Sequence, residues 1–104
     1  MGKRNWPTKL KNQYSELLAL SGFDILNFQE HYFNPIGWTG LWLLGESHFA
    51  IHTFPEDGKS YVELSSCNED YYIFFISQLS HLCVGEKKWK RKLHITIVFT
   101  QLLQ

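Results

Sequence analysis

Apolar positions near the start of the chain recur at helical spacing. Leu10, Tyr14, Leu17 and Leu18, with Ser21, fall three and four residues apart, and Gly22 follows as a C-terminal cap, so residues 8–21 predict a helix. The period then changes to that of strands. Residues 23–33 read as strand, Asn34-Pro35-Ile36-Gly37 as a turn, and residues 38–53 as further strand. Pro55-Glu56-Asp57-Gly58 predicts a second turn, and alternation resumes over residues 61–65. Asn68 then suits a helix N-cap, with Glu69 and Asp70 well placed in the first turn. Behind it Tyr72, Phe75, Ile76, Leu79, Leu82 and Cys83 form one apolar stripe ending at Gly85. Finally, Leu93, Ile95, Ile97 and Phe99 alternate with polar or smaller residues as a last strand with one buried face. The order is helix, strands, helix, strand. It predicts an α+β two-layer sandwich in which a mainly antiparallel sheet carries two helices on one face.

Composition narrows the function classes. With 104 residues, 44% hydrophobic and 16% aromatic, residues 1–104 are expected to form a single domain with a real core. Ten basic residues balance ten acidic ones, which argues against nucleic acid or anionic lipid as the main partner and allows self-association, so a homodimer is expected. No apolar run reaches the length of a membrane span, no secretory pattern opens the chain, and Trp6 stands where a myristoylation motif wants Ser or Thr, so the expected location is cytoplasmic. Two cysteines, Cys67 and Cys83, are too few for a disulfide scaffold. At least one of them is a candidate for chemistry, and Cys83, on the apolar stripe of the second helix, reads as a small buried hydrophobe. The basic run from Lys87 to Lys92 reads first as a solvated connector; a phosphate- or nucleic-acid-binding patch with Trp89 as stacking platform is the sharper alternative.

The densest chemistry lies between Gly45 and Gly58, with Cys67 downstream. A hairpin centred near Asp57 would set Ser47 opposite Cys67 and His52 opposite Val62. Ser47 and His52, five residues apart, would point to opposite faces of an unbroken strand, and Thr39 would lie roughly 26 Å from Ser47 along it. Their joint action would require a bend, for which Gly45 and Gly40 are the candidate places. Taken singly, His48 and His52 are ordinary strand residues and Ser47 a core-facing hydroxyl. Glu46, His48, His52 and Cys67 have the donor types for zinc, yet their spacing matches no recognised zinc pattern, and no metal is expected.

Taken together, Phe33-Asn34-Pro35-Ile36-Gly37-Trp38-Thr39-Gly40, Glu46-Ser47-His48 with Ile51-His52-Thr53, Pro55-Glu56 with Gly58, and Cys67 twenty residues after Ser47 resemble the prokaryotic S-adenosylmethionine decarboxylase proenzymes. The resemblance implies an autoprocessing, pyruvoyl-dependent decarboxylase of spermidine biosynthesis. Cleavage between Glu46 and Ser47 would give chains 1–46 and 47–104, with position 47 converted to the pyruvoyl cofactor that forms a Schiff base with the substrate amine. By the same resemblance His52 serves processing, Thr39 occupies the place of a serine that assists it, Cys67 donates a proton to the substrate carbon, and Glu56 contacts a small-molecule substrate of amino-acid type. S-adenosylmethionine is the first expectation; ornithine or arginine is the alternative. Family members carry an extra strand before the first helix, and only seven residues precede Thr8 here. That departure motivates a further alternative, a catalytically dead homologue that regulates a longer partner.

Overall fold

The computed structural model describes residues 6–85 and 92–99, with side chains described as far as Leu79. The first helix, α1 (Trp6–Ser21), buries the predicted stripe of Leu10, Tyr14, Leu17, Leu18 and Ser21. It ends because Gly22 takes φ 113°. In that conformation Gly22 N–H donates to Ala19 O (3.1 Å) and Phe23 N–H to Leu18 O (3.0 Å), the paired bonds of a Schellman motif.

Four antiparallel strands follow: β1 (Ile25–Tyr32), β2 (Trp38–Leu44), β3 (Ser47–Phe54) and β4 (Lys59–Ser66). The predicted strand over 38–53 is in fact two, divided by a two-residue turn at Gly45-Glu46. The strand-like stretches on either side, 41–44 and 49–51, concealed the reversal between them. Helix α2 (Glu69–Gly85) then crosses over to β5 (Lys92–Phe99), which lies parallel to β4 at the sheet edge. Only this last connection departs from hairpins, because a parallel neighbour requires a crossover. Leu82, Cys83 and the last strand's alternation belong to side chains outside the described residues, and so does the basic run 87–91.

The sheet has one buried face and one exposed face. Trp38, Trp42 and Leu44 on β2, Phe49 and Ile51 on β3, and Val62 and Leu64 on β4 pack with α1 and with Phe75 and Leu79 of α2. This confirms the two-layer α+β arrangement. Aromatic contacts run through the core, with Phe49 lying 5.1 Å from Tyr14, 5.3 Å from Trp42 and 5.3 Å from Phe75. The two indole N–H groups are satisfied, Trp42 by Ser15 Oγ and Trp38 by Glu30 Oε1, both at 2.9 Å.

Gly40 does not bend the strand as expected; β2 and β3 stay in regular register through it. Its role is steric. A Cβ there would fall 2.9 Å from Trp38 Cη2 and 3.0 Å from Trp42 Cζ3, so the missing side chain lets two buried indoles close over the strand. Gly40→Ala is therefore expected to destabilise the fold by about 1–3 kcal/mol through overpacking. Urea unfolding checks this, and an unchanged midpoint would show that the indoles have room to spare.

Candidate functional site

The turn at Gly45-Glu46 builds one half of the site. Leu44 and Ser47 form the last β2–β3 pair, so Ser47 opens β3 at the hairpin tip. Gly45 N–H donates to Asp24 O at 3.0 Å, tying the tip to the segment between α1 and β1. Glu46 has φ 63°, a left-handed backbone unusual for a residue with a side chain. Ser47 shares the helix-facing side of β3 with Phe49 and Ile51. Its Oγ is buried and has no hydrogen-bond partner. A buried hydroxyl left this way costs about 1–3 kcal/mol, so its presence calls for an explanation.

The neighbours of Ser47 come from the far end of β4. The β3–β4 register runs from His48↔Ser65 to Phe54↔Lys59, one residue off the expected pairing. The predicted Ser47–Cys67 and His52–Val62 pairs are thereby corrected: Tyr61 stands opposite His52, and continuation of the register sets Ser66 beside Ser47 and Cys67 beside Glu46. The turn over Pro55–Asp57 is a short 3-10 segment closed by Gly58 at φ 64°, and that closure fixes the shift. The half-buried, unbridged Cys67 directs its thiol to Glu46 Oε1 at 3.8 Å.

Beyond Cys67, Asn68 caps α2 as expected, its Oδ1 accepting from Tyr71 N–H at 3.0 Å. Ser66 Oγ donates to Asn68 O and accepts from Asn68 N–H, both at 3.1 Å, which fixes the strand-to-helix corner. Phe23, Gly45, Glu46, Ser47, Ser66, Cys67, Asn68 and Tyr71 together line a pocket of about 360 Å³. Gly22 matters here too, because a Cβ on it would fall 2.6 Å from Tyr71 Cε1. Tyr71, a pocket wall held edge-on to Phe23 at 5.3 Å, is a residue that sequence reasoning missed. Its position three residues after the N-cap was the available signal.

The other half lies on the opposite face of the sheet. Thr39 and His52 are direct cross-strand partners, with Thr39 Oγ1 3.0 Å from His52 Nδ1. Because the Gly45-Glu46 turn folds β2 back along β3, the expected separation of Thr39 from Ser47 shortens to about five residue steps, roughly 17 Å. Glu56 sits exposed in the 3-10 turn beyond His52. The structure thus brings Glu46, Ser47 and Cys67 together, and separately Thr39 and His52. It does not join the two groups within one chain, since Ser47 and His52 lie on opposite faces of a regular strand.

Among the described residues no three His, Cys, Asp or Glu side chains converge as metal ligands. Glu46, one of the four residues with zinc-type donors, sits in the turn and so falls outside the strand alternation that places His48 and His52 on one face. No helix among the described residues is long and apolar enough to cross a membrane.

The sequence model of the S-adenosylmethionine decarboxylase family matches residues 5–84. The chain belongs to that family. An S-adenosylmethionine decarboxylase proenzyme of Prochlorococcus marinus (strain MIT 9313) is 47% identical over 67 residues, which make up 64% of this chain and 54% of the relative. Proenzymes so named from Brevibacillus brevis and Thermosipho melanesiensis are each 40% identical, over 60 and 61 residues that cover 58% and 59% of this chain and 45% and 47% of the relatives. The chain spans about half the length of the curated relatives it matches. Both halves of the site fall within the region matched by the family model.

The corner between β4 and α2 supports the decarboxylase-family pocket through one side chain. Asn68→Ala removes the α2 cap and is expected to cost about 1 kcal/mol of stability, while Asn68→Asp, which keeps an acceptor, retains most of it. Denaturant unfolding of the two variants checks this; equal losses would assign the effect to something other than the cap.

Proposed function

We propose that the chain is a self-processing, pyruvoyl-dependent decarboxylase acting on S-adenosylmethionine, and that position 47 becomes its cofactor. The observation that carries the reading is the buried, unpartnered Ser47 hydroxyl, set directly after a left-handed Glu46 and beside the Cys67 thiol. A hydroxyl with no hydrogen bond to surrender is free to turn toward the carbonyl that precedes it.

In the proposed cleavage, Ser47 Oγ attacks the Glu46 carbonyl carbon. The C–O bond forms, the C–N bond breaks, and the hydroxyl proton passes to the Ser47 nitrogen. Loss of the Ser47 Cα proton then expels Glu46 as a carboxylate that keeps Oγ, and water replaces the nitrogen of the resulting dehydroalanine, releasing ammonia. Ser47 fits as precursor because its side chain already lies in a polar-lined pocket. The pocket around position 47 would hold a pyruvoyl group, which would supply an electrophilic carbonyl for condensation with the substrate amine and a sink for the electron pair left by departing carbon dioxide. Cys67 holds a proton on Sγ at the pocket wall, in place to return it to the substrate carbon. The relatives' designation as S-adenosylmethionine decarboxylase proenzymes supports S-adenosylmethionine over ornithine or arginine, and Glu56 is proposed to contact the substrate.

Processing also calls for a proton carrier, and His52 with Thr39 is the proposed one. Their separation from Ser47 within one chain supports a homodimer. The face that carries them exposes Leu41, Leu43, Phe54 and Tyr61 at 37–51% of their surface, an apolar area suited to a second copy. A two-fold axis near the middle of β3 would set the hairpin tip of each chain, where the Glu46–Ser47 bond lies, against the His52 end of its partner.

Denaturing mass spectrometry of the purified chain is expected to give fragments 1–46 and 47–104, the second with a blocked, ketone-bearing N-terminus, and Ser47→Ala to leave the chain whole. The cleaved protein is expected to release carbon dioxide from S-adenosylmethionine and not from ornithine or arginine. A parent chain that stays intact would overturn the reading. When Ser47→Ala and His52→Ala chains are co-expressed, the His52→Ala chain is expected to be cleaved with help from its partner's histidine. Cleavage absent from that mixture would exclude the shared site.

A further inference from the structure

Glu46 is left unexplained by the mechanism above, which uses only its carbonyl. Two features distinguish it. The two-residue loop joining the paired Leu44 and Ser47 takes its left-handed conformation at Glu46 (φ 63°) and not at neighbouring Gly45, the residue that would adopt it freely. In addition, the Glu46 side chain turns back to accept from the Cys67 thiol at 3.8 Å. An L residue in this region carries backbone strain, because Cβ crowds the carbonyl oxygen. The strained residue is the one whose carbonyl carbon is bonded to the Ser47 nitrogen.

We infer that Glu46 is a positioning residue for chain cleavage, holding the bond to Ser47 in a strained turn that relaxes as the bond is transferred. The inference rests on the self-cleavage reading and adds a driving force to it. While the link is an amide, only Gly45 and Glu46 span the gap between β2 and β3. On transfer to Oγ the main path runs through Oγ and Cβ of Ser47 in place of its nitrogen, one atom longer, and the longer connection no longer confines Glu46 to positive φ. Elimination completes the release, since Glu46 becomes a free C-terminus. The hydrogen bond from Cys67 meanwhile keeps the Glu46 side chain at the pocket mouth, so that the strain is held where Ser47 Oγ lies.

The inference makes stability and cleavage move in opposite directions, which a merely structural role would not do. In the uncleavable Ser47→Ala background, Glu46→Gly and Glu46→Asn, both tolerant of positive φ, are expected to raise the thermal midpoint, by about 4–8 °C for the glycine. With Ser47 present the same two substitutions are expected to slow cleavage, the glycine by about tenfold. Glu46→Gln keeps the strain and an acceptor for the thiol, and in the Ser47→Ala background it is expected to leave the thermal midpoint unchanged. Glu46→Gly cleaving at or above the parental rate, lowering the midpoint, or behaving like Glu46→Gln would overturn the inference. A parent chain that remains whole would instead remove the self-cleavage reading beneath it, while the midpoint shifts would still report whether the turn is strained.

Discussion

The two-residue turn at Gly45-Glu46 is the constraint on which the site depends. By reversing the chain within so short a loop it fixes the β2–β3 register, from Leu44↔Ser47 at the tip to Thr39↔His52 below. A strand alternates with period two, so this register assigns every side chain on both strands to a face. Ser47 falls on the helix side and Thr39 and His52 on the open side, without any local choice remaining at those residues. A single-residue slip would exchange the faces and carry Trp42 and Phe49 out of the core. The aromatic packing that stabilises the domain therefore also holds the reactive groups in place.

Much of this was legible in sequence, because the informative positions were dominated by burial or by backbone chemistry. The α1 stripe, the Gly22 cap, the Asn68 cap and the turn before Gly58 each follow from local rules, and the structure contains them all. The missed features were those in which one residue of register matters. Gly45-Glu46 lies between two strand-like stretches and has no Asn-Gly or Gly-Gly signature, so the reversal was hidden and Thr39 was expected farther from Ser47 than it lies. The Cys67 register depended on whether the Pro55–Asp57 segment closed as a 3-10 turn, which alternation cannot reveal. Gly40 stood out correctly as special, yet its reason was the cross-section of two indoles and not a bend.

The division of the site across two faces follows from the same economy. Sheet faces in a two-layer domain are unequal: one is filled by helices, while the other remains open to water or to a partner. Groups that must be desolvated before they react suit the first, as the Ser47 pocket does beneath Phe23 and Tyr71. The groups proposed to carry protons lie on the second, where Thr39 and His52 are within hydrogen-bond distance of each other and open to a neighbouring molecule. A second copy joining the two faces would complete the arrangement only on assembly. Proton traffic at the scissile bond would then begin only once both chains were folded.

The proposed cut at the hairpin tip would have little structural consequence elsewhere, and that explains how a domain this small could tolerate it. Residues before the break supply α1, β1 and β2 with Trp38, Trp42 and Leu44; residues after it supply β3, β4, α2 and β5 with Phe49, Ile51, Val62, Leu64 and Phe75. The core cluster draws on both sets, and the β2–β3 ladder crosses the divide through every pair from Thr39↔His52 to Leu44↔Ser47. Breaking one bond at the end of that ladder removes the turn, which contributes no core side chain and contains the one non-glycine residue with positive φ among those described. Strain and an unsatisfied hydroxyl can gather at the tip because the packing that outweighs them lies further along the strands and is unaffected by the cut.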